Sequence, residues 1–302
     1  MATKGMKPSD PIFVRIFKQE SELEVWKRDS TDKYSLLKTY PICRWSGKLG
    51  PKKEEGDRQA PEGFYKVTAR MMNPRSQYHL SFDLGYPNRL EKALGYDGSA
   101  LMVHGACTSA GCFAMTDDGV AEMYAMAREA FAGGQASFQV QSLPFRMTPI
   151  NLAVHRSNPN MHFWRNLKEG SDYFDVAKKP PIVASCQRRY VFPGEPTERQ
   201  FDPNRACPTF ETDRAVAALV AVKQARDDVD GARLAAGAAA PLSYADGGMH
   251  PAFRNVLRTE GSQRLSELTS TGVDVSQPEA ALKDPYSGET IADSGGLLSY
   301  SR

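Results

Sequence analysis

The sequence predicts a mainly-β domain over residues 11–192, followed by a partly helical C-terminal appendage over 193–302. Two observations point there. Residues 11–49 alternate in the two-residue period of strands, and short strand-like runs recur up to residue 192 between Gly- and Pro-containing turns. A strong helical pattern, over 116–134, directly follows the segment HGACTSAGC (104–112).

The chain opens as a β-meander: PIFVRIFKQ, SELEVWKRD and YSLLKTYPICRWSG. Ile12, Val14 and Ile16 fall on one face, with Phe13, Arg15 and Phe17 on the other. Ser21 and residues 29–33 sit where hairpin turns belong. GKLGPKKEEGDRQAPEG (47–63) has the Gly, Pro and charge of a loop. FYKVTARM, YHLSFDLGY and ALMVHG read as further strands. In the helix that follows, Thr116 can cap the N-terminus, acids fill the first turn and Gly133 ends it, with Val120, Met123, Tyr124 and Ala127 on one face. SFQVQSLPF returns to strand, FWRNLKEGSDYFD suggests a short helix, and SCQRRYVF a last strand. The Ala-rich stretch 211–238 reads as a helix, and PYSGETIADSGGLLSYSR (285–302) as a loosely held tail.

The 302 residues suffice to bury a core, and 25% charged against 41% apolar residues is ordinary globular composition. A formal charge of +2, with no basic run interleaved with aromatics, argues against nucleic acid as a partner. No stretch approaches the roughly 18 consecutive apolar residues that span a bilayer. The N-terminus MATKGMKPSDP lacks the apolar core of a secretory signal, which suits either a cytoplasmic protein or one whose signal has been removed. Five cysteines are compatible with one functional thiol plus up to two disulfides.

HGACTSAGC admits four readings. Zinc on His104, Cys107 and Cys112 lacks a fourth ligand at a familiar spacing. A redox pair of Cys107 and Cys112 lacks the CxxC arrangement. Two buried core cysteines and a satisfied histidine would be ordinary. The small residues Gly105, Ala106, Ser109, Ala110 and Gly111 favour the fourth reading, because they let backbone approach a ligand closely. In it, His104 at a strand end is the base for a Cys112 thiol, the Gly111 and Cys112 amides face a developing oxyanion, and the following helix dipole favours the thiolate.

HGACTSAGC resembles the active-site signature of the L,D-transpeptidase (YkuD) catalytic domain family. The short interval from His to Cys resembles its YafK-like branch of murein enzymes. YPICRWSGKLGPKKEEGDRQAPEGFYKV, NPRSQYHLSFDLGYPN and PFRMTP are similar to that branch as well, so the resemblance covers roughly 11–192. It implies a β-sandwich or barrel with a few helices, Cys112 as nucleophile and His104 as general base. Gly111 and Ser109 match the family's small residues before the nucleophile. Ala110 stands where the common pattern has a second histidine, and Ala114 where it often has Arg or Asn.

The implied substrate is the peptidoglycan stem peptide at diaminopimelate, through a thioester. An amine acceptor makes a transpeptidase. Water makes a carboxypeptidase, or an amidase that detaches a lipoprotein or outer-membrane protein from the wall. A catalytically silent peptidoglycan-binding module is the remaining alternative. No metal or cofactor is expected. Gly105 supports the site, while His79 could line the cleft and Arg146 could pair with a substrate carboxylate. Asp117 is expected to cap the helix, or else to orient a neighbour, and Tyr78 to pack. Cys107 reads as a buried small residue that could also pair with Cys112, and Cys186 with Cys207 could close the appendage. The implied place of work is the periplasm, so a signal is read as removed from this chain.

Overall fold

The computed structural model describes residues 1, 4–196, 201–270 and 282–286. In chain order the elements begin with β1 (Ile12–Phe17), β2 (Glu22–Arg28), β3 (Tyr34–Pro41), β4 (Arg44–Trp45), β5 (Gly63–Thr68), β6 (Met72–Ser76) and β7 (His79–Asp83). There follow α1 (Arg89–Leu94), β8 (Met102–His104), β9 (Phe113–Ala114), α2 (Asp117–Ala132), β10 (Ser137–Leu143), α3 (Pro149–Val154) and α4 (Met161–Ala177). The last are β11 (Ala184–Cys186), β12 (Arg189–Val191), α5 (Arg214–Ala235) and α6 (Pro251–Thr269). No helix among the described residues is long and apolar enough to cross a membrane.

The chain gathers into two compact units. The first draws on residues 1–88, 96–144 and 244–287, and the second on 89–95 and 145–243. The first therefore takes in sequence on both sides of residue 192. Of the expected tail, 285–302, all but Pro285 and Tyr286 lies outside the described residues.

The first unit holds two five-stranded mixed sheets, in the orders β3-β2-β1-β10-β5 and β4-β9-β8-β7-β6. β1 lies at the centre of its sheet, antiparallel to β2 and parallel to β10. All six of its residues are buried, so both faces of the alternation are covered, as expected for a central strand. Arg15 is set in register between Glu24 and Gln141 and is buried with them. Phe82 on β7 meets Phe138 on β10 edge to face at 5.6 Å, which brings the two sheets together over a shared core.

Beyond β1 the fully buried Lys18 donates to the carbonyls of Lys48 (2.7 Å), Gly50 (3.1 Å) and Ala60 (2.9 Å) and to the Glu62 carboxylate (2.9 Å). Burial lowers its pKa while Glu62 opposes the shift. One ammonium thus satisfies the loop 47–63 from inside, and its Gly- and Pro-rich composition does not leave it unanchored. Asp57 closes the tip, accepting from Lys52 Nζ and from the amides of Lys53, Glu54 and Gln59.

Local signals account for most helix starts. Thr116 Oγ1 accepts from Gly119 N–H at 3.0 Å, Asp117 and Asp118 occupy the first turn of α2, and Val120, Met123, Ala127 and Ala130 are its buried face. The FYKVTARM strand stops at Thr68, where a 3-10 turn leads into β6. α6 has no counterpart among the expected elements. Gly261, with φ of +87°, breaks its pattern into two short helical pieces, and His250 accepts from Ala252 N–H at its start.

In the second unit α5 packs on α3 and α4. Lys168, Asp172, Lys223 and Asp227 form an ion network between α4 and α5, with N to O distances of 2.5 to 2.8 Å. Cys186 and Cys207 form a disulfide in this unit. In the first unit Cys107 is buried, and it is also bonded to Cys43. That bond corrects the expectation of an isolated small residue, and it takes Cys107 out of any pairing with Cys112. Met249, Leu265 and Leu282 pack over the Cys43–Cys107 bridge.

The 64-residue separation between Cys43 and Cys107 is long enough for the crosslink to matter. Replacing both residues with Ala should cost about 2–5 kcal/mol in denaturant unfolding. Agreement of the oxidised wild type with the double variant would contradict this.

Candidate active site

β8 and β9 are parallel neighbours, with Val103 beside Phe113 and His104 beside Ala114. Carried back one step, that register sets Cys112 level with Met102, whose N–H points at Cys112 Sγ from 3.4 Å. Met102 and His104 share a face of β8. Cys112 thus lies immediately before β9, level with Met102, and His104 stands two residues further along the adjoining strand β8. Cys112 is half-buried and is the one free cysteine of the five, whereas His104 is 2% exposed.

The histidine ring is held on two sides. Its Nδ1 lies against the Gly105 carbonyl, so Nδ1 carries the proton and Nε2 keeps a lone pair. The Tyr78 ring stacks obliquely on it, with centroids 4.7 Å apart. Gly105 N–H points to the carbonyls of Tyr78 (3.1 Å) and Leu80 (3.2 Å). A Cβ on Gly105 would fall 2.6 Å from Asp117 Oδ1, which explains glycine there.

Asp117 opens α2 and is 3% exposed. Its Oδ1 accepts from Ala106 N–H at 2.9 Å, and its Oδ2 lies 4.0 Å from His79 Nδ1. It therefore anchors the loop after His104, while Thr116 supplies the cap. His79 and Ala106 both adopt positive φ, +67° and +59°, a conformation that side-chain-bearing residues avoid unless their surroundings enforce it.

The far end of the loop rests on serines. Ser46 Oγ accepts from Gly111 N–H at 2.6 Å and lies 2.9 Å from Ser109 Oγ. Ser109 Oγ in turn donates to the Cys112 carbonyl at 2.8 Å, and Arg58 reaches the Ser109 carbonyl at 3.2 Å. Gly111 has φ of +126°, and a Cβ there would meet Leu101 Cδ2 at 3.0 Å. Of the two amides expected to face an oxyanion, that of Gly111 is thus taken by Ser46. The Cys112 N–H makes no hydrogen bond among the described residues. The sequence does not single out Ser46, which closes a strand-like run, or Arg58, which lies in a stretch whose composition says only loop. Arg146 belongs to the second unit, half-buried between β10 and α3, with its carbonyl accepting from Asn151.

Burial sets the charge state. Desolvation pushes the His104 pKa down to about 4, against the opposing effects of the Gly105 carbonyl and Asp117. Burial likewise pushes the Cys112 thiol up to about 11, with Asp83 adding to the rise and Met102 N–H and Lys52 opposing it. The thiolate expected from the helix dipole is opposed by this desolvation, and Cys112 stands outside the first turn of α2, which begins at Asp117. At neutral pH the pair rests as thiol and neutral imidazole, with the thiol directed at the Ala100 carbonyl, 3.6 Å from Sγ.

Comparison with known proteins aligns with this segment. The pattern of the YkuD family, the L,D-transpeptidase catalytic domain, matches residues 12–142. YafK of Escherichia coli (strain K12) is 42% identical over 181 residues, which are 60% of this chain and 73% of YafK. Among solved structures, the helical cell shape determining protein Pgp2 from Campylobacter jejuni aligns with a TM-score of 0.36 at 18% identity, over 61% of this chain and 78% of that one. A mutant form of Pgp2 aligns with a TM-score of 0.37 at 22% identity, over 48% and 53% of the two chains.

Under non-reducing native conditions, titration with a thiol reagent should find one reactive group, lost in Cys112→Ala. Its alkylation by iodoacetamide should rise about tenfold per pH unit from pH 6 to 9, as the thiolate fraction does below a thiol pKa near 11. A plateau below pH 8 would show a preformed thiolate and contradict the neutral pair.

Proposed function

Because this chain belongs to the YkuD family of L,D-transpeptidase catalytic domains, we propose that it cleaves the peptidoglycan stem peptide after diaminopimelate and passes the acyl group to an amine. The observation that carries this reading is the one free thiol immediately before β9, the strand that adjoins a histidine whose Nδ1 is occupied by the Gly105 carbonyl. A base needs its acceptor nitrogen fixed, and this contact leaves Nε2 for the thiol proton.

Sγ of Cys112 attacks the carbonyl carbon as its proton passes to His104 Nε2. The imidazolium that forms is supported by the Gly105 carbonyl and the nearby Asp117 carboxylate, both of which favour the charged ring. The carbonyl oxygen becomes an oxyanion and accepts from Cys112 N–H. When the tetrahedral intermediate collapses, the carbon–nitrogen bond breaks and Nε2–H delivers the proton to the departing amine, leaving a thioester on Cys112. An acceptor amine then attacks the thioester, giving its proton to His104, which returns it to the sulfur. Two neutral partners suit this cycle, since Nε2 takes the thiol proton as base and gives the same proton to the leaving amine as acid.

The substrate lies outside the cytoplasmic membrane, so the protein works in the periplasm. Two disulfides support an oxidising compartment. No cofactor takes part in the cycle. Partners are stem peptides and, if water replaces the amine, a wall-attached lipoprotein or outer-membrane protein that the same thioester chemistry would release.

Mass spectrometry of products from disaccharide-tetrapeptide and from protein-linked sacculi tests the proposal, beside a Cys112→Ala control. Dimers joined between diaminopimelate residues, absent in the control, are the expected result. Cysteine-dependent loss of the terminal residue, or protein release without dimers, would make water the acceptor. Products that match the control would overturn the enzymatic reading.

His104→Ala should lower kcat by about 10²–10⁴-fold. For wild type, kcat/KM should stay level between pH 6 and 9. His104 loses its base function only as pH falls through about 4, and Cys112 loses the proton needed by the leaving amine only near 11. A limb inside that window would contradict these charge states.

A further inference from the structure

The loop that carries His104 to Cys112 is held from a part of the chain far beyond the family match at 12–142. Residues 245–250 run against β4 as an added edge. Trp45 N–H donates to the Gly248 carbonyl (3.1 Å), Gly248 N–H to the Trp45 carbonyl (3.0 Å), and His250 N–H to the Ile42 carbonyl (3.0 Å). The approach is close enough to require glycine. A Cβ on Gly247, where φ is +79°, would fall 1.8 Å from the Trp45 carbonyl oxygen.

That edge delivers the carboxylate of Asp246. Its Oδ1 accepts from Gly47 N–H at 3.0 Å, and its Oδ2 from Arg58 Nη2 at 2.6 Å. The buried Arg44 guanidinium lies 3.6 Å from Oδ2. Arg58 Nη2 also reaches the Ser109 carbonyl, three residues before Cys112, at 3.2 Å. Gly47 follows Ser46, whose hydroxyl accepts from Gly111 N–H and donates to the Arg58 carbonyl at 2.7 Å. One carboxylate therefore sets both groups that grip the loop, the Arg58 guanidinium and the Ser46 hydroxyl.

We propose that Asp246 is a positioning residue for the His104–Cys112 pair, acting through Arg58 and Ser46 on Ser109 and Gly111. The proposal rests on the reading of Cys112 as nucleophile and gives the C-terminal third a part in its reaction. Asp246 touches neither the thiol nor the imidazole. Its effect is geometric, since the thiol attacks only if the loop holds it against the substrate carbonyl.

The test is a double-mutant cycle on the full chain with Asp246→Asn, Arg58→Gln and the pair, reading kcat, KM, the Cys112 alkylation rate and Tm. The Asn variant keeps the shape and one acceptor beside the buried Arg44. Arg58→Gln probes the same contact from a half-exposed site, where unfolding is not at issue. Each single variant should lower kcat by about tenfold with KM within about twofold, since substrate binding is left in place. The double variant should be no slower than the slower single, because the two residues act as one brace.

A loosened loop should also speed alkylation of the half-buried Cys112 by about threefold or more, a readout that needs no peptidoglycan. Wild-type kcat and alkylation in Asp246→Asn would overturn the proposal. So would losses that multiply in the double variant, or losses that track a fall in Tm alone. If wild type itself forms no Cys112-dependent product, the enzymatic reading fails, and the alkylation rates then decide the brace.

Discussion

The structure of the site depends on one hydroxyl. Ser46 Oγ accepts from Gly111, meets Ser109 Oγ and donates to the Arg58 carbonyl, so three stretches of chain converge on a single buried atom. A loop of small residues has little side chain with which to hold itself. Its backbone polar groups must be satisfied from outside, or burial would cost several kcal/mol for each. Lys18 performs the same service behind it, tying down the loop that follows Ser46 and carries Arg58. The Cys43–Cys107 bridge fixes the near side, three residues from His104. The loop is thus pinned at both ends by groups whose sequence positions are remote from it.

The same burial decides the electrostatics. A thiol and an imidazole taken out of water both lose their charged forms, and here both shifts run towards neutrality. A preformed ion pair would hold a more reactive thiolate but would need stabilising contacts for both charges. In the proposed cycle the neutral pair instead keeps one proton in play between sulfur, Nε2 and the leaving amine. The Gly105 carbonyl contributes by fixing which nitrogen is free, a role that costs no side chain at all.

Legibility in the sequence followed distance along the chain. The alternation of β1 and β2, the Thr116 cap and the His–Gly to Gly–Cys segment are local patterns, and local patterns carry their physics in adjacent residues. Composition marked 47–63 as a loop but could not show that a buried lysine orders it. α6 was hidden because Gly261 interrupts its period, leaving two stretches each too short to stand out. The Cys43–Cys107 pairing and the approach of Asp246 to Arg58 join residues 64 and 188 apart, a separation at which no periodicity connects them. The expected thiolate beside a helix N-terminus is opposed by burial of the thiol, a property of packing that residue spacing does not reveal.

The most direct test is intact-protein mass spectrometry of the wild type after rapid mixing with disaccharide-tetrapeptide and acid quench. A thioester on Cys112 predicts a mass gain equal to the substrate less its leaving residue, mapped to the peptide that contains Cys112, released by hydroxylamine and absent in Cys112→Ala. Turnover that proceeds without this adduct and survives Cys112→Ala would contradict the account.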